Sequence, residues 1–100
     1  MHRIAMPEGK WFDADAAKRW EEDRYHDGNN YISCATGSQW EHQRLYLTAK
    51  GRWVLCSWSD WQGSVERHRE VKRSEAALWL VRNNEEPPES LLEALGATEI

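Results

Sequence analysis

The chain has 100 residues, of which 40% are hydrophobic and 30% charged, and a formal net charge of −4. This length provides one small core, which indicates a single domain over residues 1–100. The chain contains no run of about 18 apolar residues and no hydrophobic signal stretch, so we expect a cytoplasmic protein with no membrane partner. The acidic balance argues against a dedicated binder of duplex DNA.

The first predicted element is a helix over residues 14–25. Asp13 is a suitable N-cap, and the segment contains no glycine, proline or β-branched residue. Ala16 and Trp20 are spaced to lie on one helical face. The glycine and asparagines of residues 27–30 then end the helix.

The middle of the chain predicts a β-hairpin. Residues 44–48 and 53–58 are rich in strand-forming side chains, and the short segment between them has a late glycine. We expect Thr48 to lie opposite Trp53. The second strand is apolar on both sides, which indicates a central strand, and the alternation over residues 64–72 predicts an outer strand.

Helices are predicted after the strands. Ser74 caps a helix that runs to about Asn83, and a last short helix ends at Gly96. The expected fold is therefore α+β, with a small three-stranded antiparallel sheet, an N-terminal helix and one or two C-terminal helices. Its core spans about residues 10–83, and residues 84–100 form an acidic C-terminal segment.

Two stretches carry polar and aromatic residues that no core pattern requires, residues 26–43 and 57–64. Extending the hairpin register brings Trp40 close to Trp61 at one end of the sheet. This pair could seal the end of the core, or it could be the centre of an interface, since interfaces are rich in tryptophan. The predicted partner-binding residues are Trp40, Glu41, His42, Trp58, Asp60, Trp61 and Gln62.

Catalysis has less support in the sequence. His42 with Glu41 or Asp60 could supply a base and an orienting carboxylate. No nucleophile elbow, phosphate loop or paired-carboxylate motif accompanies them. Because adjacent residues of a strand point to opposite faces, Glu41 and His42 are poorly placed to cooperate. We therefore expect no enzyme.

Metal binding is also not predicted. Two cysteines are too few for a disulfide framework, and we expect both to be reduced thiols. The cysteines and histidines lack the close spacing that forms a zinc site, so they could meet only through the fold. These residues are Cys34, Cys56, His26, His42 and His68. We expect no cofactor.

An alternative function is the binding of single-stranded nucleic acid. Four basic residues cluster on and after the predicted outer strand, close in sequence to Trp58 and Trp61. Basic side chains next to aromatic rings can hold phosphates while the bases stack. Glu66 and Glu70 interrupt this run. The four residues are Arg67, Arg69, Lys72 and Arg73.

Several short motifs give the chain a resemblance. Gly-Ser-Gln-Trp at residues 37–40 and Trp-Gln-Gly-Ser at 61–64, with the hairpin between them, resemble small bacterial proteins of plasmids, phages and other mobile elements. The resemblance covers about residues 10–88 and supplies no catalytic residue. It implies a non-enzymatic accessory protein, for example an anti-CRISPR-like inhibitor of host defence or an antitoxin. The expected partner is a protein or a protein–nucleic-acid complex.

Overall fold

The computed structural model describes residues 1–100 and consists mostly of sheet, with 37% strand and 25% helix. The expected three-stranded sheet with an N-terminal helix is wrong. Eight strands form three antiparallel sheets, and the helices follow near the C-terminus. The elements are β1 (Arg3–Met6), β2 (Lys10–Asp13), β3 (Lys18–Glu21), β4 (Arg24–His26), β5 (Tyr31–Ser33), β6 (Glu41–Leu47), β7 (Trp53–Ser59), β8 (Arg67–Val71), α1 (Arg73–Arg82) and α2 (Leu92–Ala97).

The main sheet has four strands in the order β3-β6-β7-β8. Strand β7 lies inside it, and four of its side chains, Trp53 to Cys56, are buried. The apolar side chains of this strand point alternately to the two faces of the sheet, and they are buried on both faces. The outer strand β8 is confirmed, although it begins only at Arg67.

The hairpin of β6 and β7 is confirmed, but its register differs by one residue from the predicted one. Leu47, and not Thr48, lies opposite Trp53. Thr48 belongs to the turn, where its N–H donates to the carbonyl of Arg52 and its hydroxyl accepts from the Arg52 N–H. Gly51 adopts a φ of +81°, which a glycine accepts without strain.

The predicted helix over residues 14–25 is wrong. Asp13 does cap a helical turn, accepting from the N–H of Asp15, but this 3-10 turn ends at Ala16. The chain then forms β3, which pairs with β6 and places the ring of Trp20 5.4 Å from that of Trp53. Helix propensities differ by only about 0.7 kcal/mol per residue, so burial of an indole outweighs them.

Helix α1 covers one face of the main sheet. Leu45 and Leu55 pack there with Leu80 of the helix. Leu91, in the short 3-10 turn before α2, is fully buried in the same cluster, so the core extends beyond residue 83. No helix of the protein is both long and apolar enough to span a membrane.

The hairpin of β1 and β2 covers the opposite face of the main sheet. Phe12 of β2 is buried there with Tyr46, Val54 and Cys56. Its ring lies 5.1 Å from that of Tyr46. The sheet is therefore enclosed by helix on one side and by hairpin on the other, and its ends carry the exposed polar segments.

Candidate functional site

Two indoles meet at the end of the main sheet where β6 begins and β7 ends. Beyond the last ladder pair, the N–H of Asp60 donates to the carbonyl of Trp40 at 2.9 Å. The rings of Trp40 and Trp61 then lie 5.1 Å apart at an angle of 35°. These two residues, called here the tryptophan pair, are 44% and 61% exposed. Their predicted proximity is confirmed.

Serine side chains hold the backbone of both tryptophans in place. The hydroxyl of Ser38 accepts from the N–H of Trp40 at 3.0 Å, and that of Ser59 accepts from the N–H of Trp61 at 3.2 Å. Gly37, directly before Ser38, has a φ of +74°. The motif before β6 therefore combines a left-handed glycine with a hydroxyl that satisfies the following backbone.

Beside the tryptophan pair, His42 is buried between two carboxylates. Its Nδ1 lies 2.7 Å from Glu22 Oε2, and its Nε2 lies 2.7 Å from Asp60 Oδ2. The ring lies 5.7 Å from that of Trp58, its cross-strand partner. His42 thus links the strand β6 to the segment that carries Trp61.

The protonation of His42 follows from these contacts. Burial disfavours the charged ring, but the hydrogen bonds to Glu22 and Asp60 outweigh burial and raise the pKa of His42. An imidazolium donates to both carboxylates at once, which a neutral ring cannot do. Because both nitrogens are engaged, the ring has no free nitrogen to take a proton from a substrate. The two hydrogen bonds therefore connect β6 to the residues after β3 and to those after β7.

Glu22 was missed by sequence reasoning. Its carboxylate is 3% exposed, and its Oε1 accepts from the Ser33 hydroxyl at 2.8 Å and from the Gln43 N–H at 2.7 Å. Glu22 falls within the helix predicted over residues 14–25, but in the structure it lies between β3 and β4. No local sequence motif indicates such a position. Ser33 contacts this carboxylate and not the imidazole of His42, so the two do not form a nucleophile–base pair.

Three further predicted residues adjoin the tryptophan pair along the chain, and the two acidic ones, Glu41 and Asp60, are called here the acidic rim. Asp60 is half exposed despite its bond to His42. Glu41 is exposed next to Trp40, and Gln62 is exposed in the turn after Trp61. Since Glu41 and His42 are adjacent in a strand, they point to opposite faces, and of the carboxylates of Glu41 and Asp60 only that of Asp60 binds His42.

Two basic residues of the alternative function, Lys72 and Arg73, lie far from the tryptophan pair. Lys72 and Arg73 follow Val71, whose ladder partner Trp53 is at the hairpin-turn end of β7. The tryptophan pair is at the other end, roughly six residues or 20 Å along the strand. The fold therefore does not combine these basic groups with the exposed indoles.

Arg67 and Arg69 lie along the outer strand β8. Arg67 is exposed opposite Ser57, while the guanidinium of Arg69 binds the Glu75 carboxylate at 2.6 Å. Arg69 also lines an open groove of about 830 Å³, which Lys72 and Arg73 share. No aromatic platform for bases lines this groove except Trp53, which is 3% exposed.

One group of potential metal ligands converges through the fold. Donor atoms of Cys56, Glu66 and His68 all lie within 4.8 Å of one another. Cys34 is not part of this group, and both nitrogens of His42 are already engaged. The expectation that no metal site exists was based on spacing along the chain, and this cluster has no such spacing.

No protein-family model, curated protein or solved structure matches this chain. The resemblance to proteins of mobile elements, carried by the motifs at residues 37–40 and 61–64, therefore stays a prediction.

Proposed function

We propose that this protein binds a macromolecular partner through the tryptophan pair and performs no chemistry. The proposal includes the predicted role as an accessory protein of a mobile element, acting on a protein or protein–nucleic-acid complex. The observation that carries it is that Trp40 and Trp61 stack on each other while staying 44% and 61% exposed.

The alternative explanation of the pair is that it seals the core. Neither Trp40 nor Trp61 belongs to a core cluster, whereas Trp20, Trp53 and Trp79 pack in the cluster beneath the helix. The fold therefore has its apolar core without the pair. Tryptophan is enriched among interface hot spots, and an ordered backbone at an exposed tryptophan lowers the entropy cost of binding.

The acidic rim favours a basic partner segment. Asp60 directly precedes Trp61, Glu41 directly follows Trp40, and the whole chain carries a net charge of −4. An arginine or lysine of the partner could lie on an indole face and pair with a carboxylate, which combines cation–π and ionic attraction. The bond between His42 and Asp60 holds that carboxylate in position before binding, which lowers the entropy cost.

The test compares Trp61→Ala with Trp11→Ala, a matched control because Trp11 is 59% exposed elsewhere on the surface. Tagged proteins capture partners from the native host, and each captured protein is then purified and titrated by calorimetry. We expect Trp61→Ala to weaken binding at least about tenfold, an amount typical of a hot-spot residue. Trp11→Ala should bind as the wild type does, and both variants should keep the wild-type circular dichroism spectrum.

Equal affinity of Trp61→Ala and the wild type would refute the tryptophan pair as the interface. A titration with single-stranded oligonucleotide at low and moderate salt tests the alternative function of Arg67, Arg69, Lys72 and Arg73. Affinity for phosphates falls steeply with ionic strength. Salt-sensitive binding that is lost in Arg73→Gln and kept in Trp61→Ala would favour that alternative.

A further inference from the structure

His68 has a buried polar atom without a hydrogen-bond partner. The side chain is 9% exposed, and its Nε2 forms no hydrogen bond. Nearly all buried polar atoms of native proteins are paired with protein or water, so an unpaired imidazole nitrogen requires an explanation.

Two further ligand-type atoms face this nitrogen. Cys56 lies directly opposite His68 in the ladder of β7 and β8, and Glu66 precedes β8. Glu66 Oε2 is 3.7 Å from Cys56 Sγ and 3.9 Å from His68 Nε2. All three donor atoms lie within 4.8 Å of one another. Sulfur, nitrogen and oxygen donors therefore surround one point.

This donor set matches the chemistry of Zn²⁺. Zinc binds thiolate sulfur, imidazole nitrogen and carboxylate oxygen, and tetrahedral geometry places such donor atoms about 3.3–3.6 Å apart. The two distances from Glu66 Oε2 would shorten by a few tenths of an ångström to reach this geometry. The separation between the sulfur and nitrogen donors is at most 4.8 Å and would shorten by no more than about 1 Å.

The surroundings hold the three side chains in this arrangement. Arg44 Nη1 lies 3.8 Å from the other oxygen of Glu66, Oε1, and so leaves Oε2 facing the thiol and imidazole. The rings of Phe12 and Tyr46 lie 6.1 and 6.5 Å from the imidazole of His68. A charged neighbour that orients a ligand, and an apolar shell around it, are typical of metal sites.

The protonation states are also compatible with a metal. Burial lowers the pKa of His68, which keeps the ring in the neutral form that ligates metals. Burial raises the pKa of Cys56 to about 12, so without metal the group is a thiol. Binding would break the S–H bond and form an S–Zn bond, and the released proton would go to the buffer.

We infer that Cys56, Glu66 and His68 bind one Zn²⁺ ion. Three protein ligands leave the fourth position for a water molecule. The ion would join the inner strand β7 to the edge strand β8, and the inference does not depend on the proposed function. A thiol–carboxylate contact alone would account for Cys56 and Glu66 but not for the unpaired nitrogen of His68.

The test uses the full chain after dialysis against a chelator. Calorimetric titration with ZnCl₂ should show one ion per chain. Titration with CoCl₂ should produce a thiolate-to-cobalt absorption band, which Cys56→Ser abolishes and the control Cys34→Ser retains. Because Cys56 is buried, its replacement can disturb folding, and Glu66→Gln therefore provides a second test at a half-exposed residue.

Glu66→Gln and His68→Gln should each weaken Zn²⁺ binding at least about tenfold, while His26→Gln, at an exposed histidine, should bind as the wild type does. Absence of one-to-one binding in the wild type would overturn the inference. It would equally be overturned if Glu66→Gln and His68→Gln kept the wild-type affinity, or if Cys34→Ser abolished the cobalt band.

Discussion

Two histidines on the same face of the main sheet, His42 buried and His68 nearly so, have opposite surroundings. His42 contacts a carboxylate with each nitrogen at 2.7 Å. The Nε2 of His68 has no hydrogen-bond partner, and its carboxylate neighbour is 3.9 Å away. The pKa of His42 is accordingly raised and that of His68 lowered. An imidazole with two bound partners links the segments that carry those partners, whereas one with an unpaired nitrogen has a nitrogen available to a ligand.

Arg44 lies between these two regions. Its guanidinium carbon is 4.7 Å from the centroid of Trp58, which stacks on His42. Its Nη1 is 3.8 Å from Glu66, beside His68. The two histidines are therefore only a few side chains apart, and their difference arises from the neighbouring groups and not from depth alone.

The largest effect on the free energy of unfolding is expected from His42→Ala. The change leaves the buried carboxylate of Glu22 without its imidazole partner but with its bonds from Ser33 and Gln43, and losing one hydrogen bond to a charged group typically costs about 2–3 kcal/mol. The free energy of unfolding, measured with urea, should fall by this amount. His2→Ala, at an exposed histidine near the N-terminus, is the control and should change it by less than about 0.5 kcal/mol. Equal changes in the free energy of unfolding for the two variants would contradict the structural role of His42.

A smaller effect of opposite sign is expected from His68→Leu in the presence of a chelator. Leucine fills a similar volume and removes the unpaired nitrogen, whose burial costs about 1 kcal/mol or more. Without metal, the free energy of unfolding should therefore rise by about 1 kcal/mol. A fall in the free energy of unfolding as large as that caused by His42→Ala would contradict the proposed difference between the two histidines.

The smallest effect is a pH dependence of the wild type. Glu22 and Asp60 face His42, with Arg24 beside Glu22, and the pKa of His42 in the fold lies above its unfolded value of about 6.5. The stabilisation that protonated His42 provides is fully present below about pH 6.5. It is lost as the pH rises through the pKa of His42 in the fold. Urea unfolding should show this loss in the wild type, and His42→Gln should lack it over the same range. A variant with the wild-type profile would contradict the assignment to His42.

The hairpin and the tryptophan pair could be predicted because their signals are local. Alternating apolar residues and a late glycine specify two antiparallel strands, and the pairing of Trp40 with Trp61 then follows from geometry. The one-residue error in register arose because the hydroxyl of Thr48 binds the Arg52 N–H and so keeps Thr48 in the turn. Turn hydrogen bonds of this kind are not visible in a hydrophobic pattern.

The other features depend on contacts distant in sequence. Residues 14–25 have a composition typical of a helix. Residues 18–21 of this segment instead form β3 because they pair with the edge of β6, and a local sequence pattern does not indicate this pairing. Glu22 gains its role only because β3 brings it to His42. Likewise, Cys56 and His68 meet through the pairing of β7 with β8, and no ligand spacing in the chain indicates it.

Both edges of the main sheet carry closely spaced charges of opposite sign. Edge strand β3 presents Arg19 and Glu21, and edge strand β8 presents Arg69 and Glu70. Charged side chains on an edge disfavour hydrogen bonding to a strand of another molecule. Neighbouring copies are thereby hindered from extending the sheet into an aggregate, even though the protein is built mainly from strands.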